Sequence, residues 1–342
     1  MRRSRMRLGL AAAGIAVAAA CATGAATMAA PGSEPRVAVV LDAGGCPDTD
    51  TLELCEGIRR AMRRTGVEAR IVSPTFRDDL GDFLALIARQ HYDAVVLFGL
   101  YYDPRVAAVA RRYPNVPFIV MDAPRADVPN APPNLQGEVL QAREAAFLAG
   151  WLAAKLEQRR PGPDVVGAVG GVKVPGVTTF MDGFAAGARR AAPGVKLLVD
   201  YSDDWVDRGK CEALARRQIA RGAGAVFNVA GACGLGTMRA AADAGIWAIG
   251  VDSDQSSLGP HVLTSVLKSF ETGFVDVFNR LKTGTLRTGR DTVLTMRDGA
   301  AGLGTISPRI PRALVTQLHR LQRQITTGEL RVPPAPRSSN VG

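Results

Sequence analysis

A carboxylate and an ammonium group follow two successive apolar runs in residues 245–268, GIWAIGVDSDQSSLGPHVLTSVLK. The first run, 247–251, is bounded by turn residues and is typical of a buried strand, and Asp252 stands directly after it. The second run, 262–267, leads to Lys268. Because open α/β sheets bind ligands at the carboxyl ends of their strands, this spacing predicts that Asp252 and Lys268 face a ligand. The alternative is an Asp that caps a turn and a Lys in solvent.

The elements that must position these two residues follow a regular order along the chain. Strand-like runs at 36–42, 67–72, 94–100 and 117–122 alternate with helical stretches, and a second alternation starts at 135–140. Strands separated by helices predict parallel sheets with right-handed crossovers. A length of 342 residues suits two lobes, and 47% hydrophobic with 22% charged residues is typical of a folded protein.

The same order divides the chain into two α/β lobes. A segment rich in Pro, Ala and Asn, 123–134, is interpreted as the first crossing between them. The predicted division is an N-terminal lobe of residues 36–125 plus 256–288, a C-terminal lobe of residues 130–253 plus 290–332, and a tail at 333–342. Strand ends from both lobes would then line a cleft that suits a small ligand held by hinge closure.

Residues 1–21 have the composition of an export signal. MRRSRMR is basic, and residues 8–20 are apolar, rich in Ala and too short to span a bilayer comfortably. Three alanines precede Cys21, as in the lipid-attachment motif of bacterial lipoproteins, although the usual leading Leu is absent. We therefore expect an exported protein that is anchored to the membrane through Cys21, with 22–35 as a tether. The alternative is ordinary signal cleavage, which leaves a periplasmic protein.

The formal net charge of +10 does not indicate nucleic-acid binding. Four arginines belong to the export signal, and the other basic residues are scattered, with short doublets that are typical of solvated helix faces. Enzyme motifs are absent from the sequence, which has no GxSxG, no P-loop lysine and no GxGxxG with a suitably placed acid. Adjacent Asp203 and Asp204 on a turn are expected to point apart into solvent. The sequence therefore predicts neither an enzyme nor a cofactor.

Four cysteines remain once Cys21 is set aside. They allow three connectivities, and an oxidising compartment favours pairing. Because each couple falls within one predicted lobe, we expect Cys46 to pair with Cys55 and Cys211 with Cys233. Four buried free thiols are the alternative. No metal site is predicted, since no CxxC occurs and the three histidines lie far apart in the sequence.

Several spaced motifs resemble one protein family. GVDSDQ followed by LTSVLK is similar to the signature of the basic membrane protein (BMP) family, the purine-nucleoside-receptor-like substrate-binding lipoproteins of bacterial ABC transporters. FGLYYDPRVAAVARRYPNVPFIVMD, REAAFLAGWLAAKL and VGAVGGVKVPGVTTFMDGFAAG also resemble the family pattern, in the same order. The resemblance implies a type I periplasmic-binding-protein-like fold, with two Rossmann-like parallel-sheet lobes joined by a multi-crossover hinge. It also implies a monomer that binds a nucleoside and works with an ABC permease and ATPase.

The resemblance also assigns contacts to the ligand. It implies that Asp252 accepts hydrogen bonds from sugar hydroxyls, with Lys268 beside it and Asp122 contributing from the opposite lobe. Asp42 is a weaker candidate, because the residues around it differ from the family pattern. A carboxylate can accept hydrogen bonds from two hydroxyls at once, and a charged partner strengthens such bonds.

Three further residues are candidates for contact with the base. Trp205, in the polar turn SDDW, either stacks on a base or packs between lobes. Phe180 has the helical spacing to Phe184 that is typical of a core position, and stacking is its other interpretation. Gly231, like Gly234, allows close approach of backbone to a ligand or simply serves a turn.

One loop departs from the family pattern and leaves the ligand open. Family members usually carry Asp-Lys-Ser-Phe-Asn after the first strand, whereas residues 42–52 here read DAGGCPDTDTL, without Phe or Asn. A nucleoside is therefore the main hypothesis, and a different small solute such as a sugar is its alternative. A ligand sensor or regulatory module with the same fold is a second alternative.

Overall fold

The computed structural model of the chain describes residues 34–42, 46, 52–76, 79–100 and 103–333. The predicted export signal with Cys21, most of the predicted tether and nearly all of the predicted tail lie outside the described residues. Among the residues that are described, no helix is both long and apolar enough to cross a membrane.

Strands and helices alternate along the chain, as the sequence predicts. The strands are β1 (Arg36–Leu41), β2 (Glu68–Val72), β3 (Ala94–Phe98), β4 (Phe118–Met121), β5 (Leu135–Leu140), β6 (Val165–Gly170), β7 (Lys196–Tyr201), β8 (Ala225–Val229), β9 (Trp247–Asp252), β10 (Val262–Lys268), β11 (Asp291–Leu294) and β12 (Ala301–Leu303). The helices are α1 (Leu52–Thr65), α2 (Leu80–Ala88), α3 (Pro104–Arg112), α4 (Arg143–Glu157), α5 (Pro175–Ala191), α6 (Arg208–Ala220), α7 (Gly234–Ala244), α8 (Phe270–Lys282) and α9 (Arg312–Thr327).

These strands form two six-stranded sheets, one in each lobe. The first sheet has the order β11-β5-β4-β3-β1-β2, and its paired strands are parallel. The second has the order β12-β10-β9-β8-β6-β7, in which only the pairing of β12 with β10 is antiparallel. The predicted α/β class with two parallel-sheet lobes is therefore confirmed.

Helices cover both faces of each sheet, which explains the continuous apolar runs of the central strands. In the first lobe α1 and α8 pack on one face, and α2 and α3 pack on the other. In the second lobe α4, α5 and α9 enclose the larger core, and α6 and α7 cover the opposite face. Strand β9 enters its sheet directly after α7, because Gly245 at φ +64° ends that helix and reverses the chain.

The predicted lobe boundaries are wrong at three places. β5, which falls in the predicted 130–253 segment, pairs with β4 of the first sheet. β11, from the predicted 290–332 segment, pairs with β5 and also belongs to the first lobe. β10, from the predicted 256–288 segment, instead pairs with β9 in the second lobe. The Pro-rich stretch 123–134 is therefore a connection within the first lobe, since the chain crosses only after β5.

Three short segments cross between the lobes: residues 141–142, residue 269 and residues 295–300. Their backbones are joined by hydrogen bonds. Gln141 N–H donates to Leu294 O at 2.8 Å, and Ser269 N–H donates to Ala300 O at 2.9 Å. This arrangement is the multi-crossover hinge that the family resemblance implied.

Candidate ligand-binding cleft

A cleft of about 940 Å³ lies between the lobes, at the carboxyl ends of the strands of both sheets. The structure brings all seven sequence-predicted ligand residues to its wall. They are Asp42 and Asp122 from the first lobe and Phe180, Trp205, Gly231, Asp252 and Lys268 from the second. The sequence analysis expected these residues at one ligand, and the structure places them on one wall although they span more than half of the chain.

Asp122 and Asp252 occupy equivalent places in the two lobes. Asp122 follows β4 and Asp252 ends β9, and these strands are third in the order of their respective sheets. Both residues adopt the left-handed conformation, with φ of +65° and +63°. This region is uncommon outside glycine, and such residues concentrate at functional sites. Two matching carboxylates therefore face the cleft from opposite lobes.

Lys268 connects the lobes through an ion pair. Its Nζ lies 2.6 Å from Oδ2 of Asp122, and the two side chains are only 7% and 13% exposed. Burial raises the pKa of the Asp122 carboxyl, although Lys268 and the backbone amide of Leu140 oppose that shift. Asp252 lies opposite Leu267 in the β9–β10 register, so Lys268 is the next residue along the neighbouring strand. The Lys268 ammonium therefore pairs with Asp122 of the first lobe and lies one strand position beyond the residue opposite Asp252.

Trp205 forms an aromatic wall on the second lobe. It follows β7 in the loop before α6 and remains 43% exposed, so it does not fill the core. Its ring lies against Gly171, where an added Cβ would come within 2.6 Å of the indole. Gly231, with φ +55°, also lies against Trp205, since an added Cβ there would be 3.3 Å from Trp205 O. Any side chain on Gly171 would displace the ring.

Phe180 and Gly234 are both packed against other residues of the second lobe. Phe180 is 3% exposed and packs edge-on against Phe227, although it also lines the cleft. The Lys268 ammonium lies 4.8 Å from its ring centroid, within range of a cation–π interaction. Gly234 does not line the cleft, and an added Cβ would collide with Asn228 Oδ1 at 1.6 Å.

Sequence reasoning missed several residues of the wall. Phe98 and Phe270 line the first lobe and form an edge-to-face pair with centroids 5.4 Å apart. Carboxylates were missed as well: Asp103, Asp127 and Asp291. Only Asp103 had a signal in the local sequence, because an Asp directly before Pro104 is typical of a helix start. In the structure Asp103 caps α3 and accepts a hydrogen bond from the Arg105 N–H.

The described wall is strongly acidic. Its charged residues are six aspartates and one lysine, in a chain whose formal net charge is +10. Burial raises the pKa of Asp127, and the neighbouring charge of Asp291 raises it further. Within the described part of the chain, no group of three or more His, Cys, Asp or Glu side chains is arranged to hold a metal ion. The cleft thus presents mainly hydrogen-bond acceptors, of which Asp103 is paired with Arg105 at 2.7 Å and Asp122 with Lys268.

Two disulfides join four of the described cysteines, in the pairing that the sequence predicted. Cys46 is joined to Cys55 of α1, with a Cα–Cα distance of 5.9 Å. Cys211 of α6 is joined to Cys233, which precedes α7, with a Cα–Cα distance of 5.6 Å. Each disulfide therefore lies within one lobe and does not link the two lobes.

Solved structures define the class of fold. The chain superposes with a TM-score of 0.72 on an ABC transporter solute-binding protein from Aeropyrum pernix K1, with 20% identity, 89% coverage of this chain and 94% of that one. A transcriptional activator of the comK gene from Bacillus halodurans also gives a TM-score of 0.72, at 18% identity, with 87% and 100% coverage. At such identities the likeness concerns the fold alone. It is the two-lobed, periplasmic-binding-protein-like fold.

Sequence relatives define the family. Residues 36–335 match the Bmp family model, described as ABC transporter substrate-binding protein PnrA-like. Basic membrane protein A1 of Borrelia garinii subsp. bavariensis is 26% identical over 304 residues, covering 87% of this chain and 88% of that protein. Basic membrane protein B of the same organism is 29% identical over 246 residues, covering 70% and 69%. The chain therefore belongs to the Bmp family of ABC transporter substrate-binding proteins, which are not enzymes.

Proposed function

We propose that this substrate-binding protein captures a nucleoside in the interlobe cleft and delivers it to an ABC permease and ATPase. The protein acts outside the cytoplasm as a monomer, held at the membrane by a lipid on Cys21. The single observation that carries the ligand assignment is the pair of matching carboxylates, Asp122 and Asp252, which face one cleft from opposite lobes.

A ribose fits this pair of carboxylates. Vicinal hydroxyls donate two hydrogen bonds, and a carboxylate has the lone pairs to accept both. Asp252 takes the ribose hydroxyls, and Lys268 strengthens the acceptors around it. Asp122 contacts the ligand from the first lobe when the lobes close, so that a bound sugar bridges both halves of the protein.

Aromatic groups in the wall suit a flat base. Trp205 offers a half-exposed indole on the second lobe, and Phe98 and Phe270 offer ring surface on the first. Stacking of a base on an aromatic side chain contributes roughly 1–3 kcal/mol. Trp205 thereby supplies the aromatic contact that the altered loop at 42–52 lacks.

The acidic wall also restricts the ligand class. A phosphorylated nucleoside would bring negative charge among six aspartates, with one lysine in the wall that is already paired to Asp122. Such a ligand would lose more solvation than the cleft could replace. We therefore assign the site to a ligand without a phosphate group.

A thermal-shift screen of the purified protein tests this assignment. The panel contains nucleosides, nucleobases, pentoses and hexoses, amino acids and nucleoside monophosphates. A ligand at about 100 times its dissociation constant stabilises the folded state by about 2.7 kcal/mol, which is visible as a shift of the midpoint. A shift with nucleosides and none with their monophosphates supports the proposal. A shift with sugars or amino acids alone overturns the nucleoside assignment.

A further inference from the structure

We propose that the Cys211–Cys233 disulfide positions the aromatic wall of the cleft, by holding the loop that carries Trp205 against the turn that contains Gly231. The inference rests on the ligand-binding role proposed above. It gives a part in that binding to two cysteines that do not themselves line the cleft.

The disulfide closes a ring of chain that includes Trp205. Cys233 N–H donates a hydrogen bond to Trp205 O at 2.9 Å. From Trp205 the chain runs through the start of α6 to Cys211, and the disulfide returns it to Cys233. Both cysteines are fully buried. One end of the ring is therefore anchored in the protein interior, while the indole at the other end borders the cleft.

The tip of the Trp205 loop is partly exposed, although the indole lies against Gly171. Trp205 is 43% exposed and Val206 is 72% exposed. Local hydrogen bonds shape the turn: Asp204 Oδ1 accepts from the Val206 N–H at 2.8 Å and from the Asp207 N–H at 3.0 Å. These bonds stay within the loop, and its start is held to the end of β6 by Ser202 N–H to Gly170 O at 2.9 Å and by Asp203 N–H to Gly171 O at 3.2 Å. The ring through Cys211 and Cys233 supplies the attachment on the other side of Trp205, towards α6.

The turn on the other side of the ring is equally constrained. Gly231 lies two residues before Cys233, in the 3-10 segment that ends at that cysteine. Helices α6 and α7 also meet closely beside the disulfide, since an added Cβ on Gly236 would lie 1.9 Å from Arg208 O. Holding α6 against the start of α7 therefore fixes the distance between Trp205 and Gly231.

Removing the disulfide while keeping the buried volume apolar isolates this effect. The variant is Cys211→Ala/Cys233→Val, and Cys211→Ser/Cys233→Ser is the substitute if the first does not fold. Sucrose in the buffer favours the folded state of every protein compared. Circular dichroism establishes folding. Affinity is measured by calorimetry with the nucleoside, among adenosine, guanosine, inosine, cytidine and uridine, that shifts the wild type most.

A second readout follows the position of the indole without any ligand. Acrylamide quenching of tryptophan fluorescence is measured for each protein and for the same protein carrying Trp205→Phe. The difference between the two measurements gives the quenching of Trp205, separate from that of Trp151 and Trp247. Cys46→Ala/Cys55→Val is the matched control, because it removes a disulfide from the other lobe. Its Trp205 quenching should equal that of the wild type.

The expected loss of affinity is roughly five- to tenfold, because the indole and its loop must then be ordered when the ligand binds. Trp205 quenching should rise in the Cys211–Cys233 variant alone. In a Trp205→Ala background, removal of the same disulfide should change affinity less than about twofold, since coupled sites are not additive. This last result separates positioning of Trp205 from general loosening of the lobe.

Three results would overturn the inference: unchanged affinity in the folded variant, equal quenching changes in both disulfide variants, or an equal loss of affinity with and without Trp205. Its failure is distinguishable from failure of the proposed function. If the wild type binds no nucleoside, the proposed function fails, and the ligand-free quenching comparison still tests whether the disulfide positions the indole.

Discussion

Replacing Lys268 by Met leaves Asp122 without its charged partner, and we expect this to destabilise the protein by about 3 kcal/mol at neutral pH. The ion pair is short, at 2.6 Å, and its side chains are 7% and 13% exposed. Removing one member of a buried pair typically costs 3–5 kcal/mol, because the other charge is left uncompensated. The lower end of this range of destabilisation applies here, since Asp122 can take up a proton and so avoid remaining a buried anion.

The pH dependence of this variant follows from the same reasoning. Burial raises the pKa of Asp122, and loss of Lys268 raises it further, because Lys268 opposes the shift. A carboxyl whose pKa is higher in the folded state binds more protons there, so stability falls as pH rises from its unfolded pKa of about 4 towards its folded pKa. The destabilisation by Lys268→Met should therefore be largest at neutral pH and shrink towards pH 4.

Urea unfolding at several pH values measures this effect. Lys210→Met is the matched control, because Lys210 makes an ion pair of similar length, 2.8 Å, with Asp204 on the exposed surface. That control should leave the midpoint nearly unchanged, as is usual for surface pairs. The double variant Asp122→Asn/Lys268→Met should recover much of the lost stability. The same small effect of Lys268→Met and Lys210→Met at neutral pH, or a loss of stability that grows as the pH is lowered, would contradict a buried ion pair at Asp122.

Three further predictions concern ligand contact and the disulfide. Trp205→Ala should weaken nucleoside binding by about 1–3 kcal/mol with little effect on the unfolding midpoint, because the ring is half exposed; calorimetry would contradict this if affinity were unchanged. Gly171→Val should also weaken binding, since an added Cβ would come within 2.6 Å of the indole, and unchanged Trp205 fluorescence would argue against it. Breaking the Cys211–Cys233 disulfide, which spans 22 residues, should cost about 3 kcal/mol in urea unfolding. Before this measurement, thiol titration of the denatured, unreduced wild type should find none of the four paired cysteines free. Four free thiols would show that no disulfide exists, and the expected loss of stability would then not apply.

Much of the fold could be predicted from the sequence, because buried parallel strands are continuous apolar runs bounded by turn residues. β9 and β10 were located in this way, together with the residues that end them. The lobe boundaries could not be predicted, because a run of apolar residues does not say which strand it pairs with. β5 follows a Pro-rich stretch that is typical of a linker, yet it continues the first sheet beside β4.

The candidate site was predicted mainly through family resemblance. Spacing alone indicated Asp252 and Lys268, since each stands at the end of an apolar run. Asp127 and Asp291 were missed because the pairing of β11 with β5 brings Asp291 to the wall, which no local pattern reveals. Phe270 was missed for a similar reason: it begins α8 directly after the hinge, and only the tertiary arrangement directs it to the cleft.

Binding of a nucleoside by Asp252 is tested by calorimetric titration of the wild type and of Asp252→Asn with the nucleoside that gives the largest thermal shift. The substitution keeps the size of the side chain and removes its charge and half of its acceptor capacity. We expect one site per chain in the wild type and an affinity at least about tenfold lower in Asp252→Asn, because hydrogen bonds to charged groups contribute about 1.5–3 kcal/mol. The unfolding midpoints of the two ligand-free proteins should be similar. Equal affinities, or no binding of any nucleoside by the wild type, would contradict this role of Asp252.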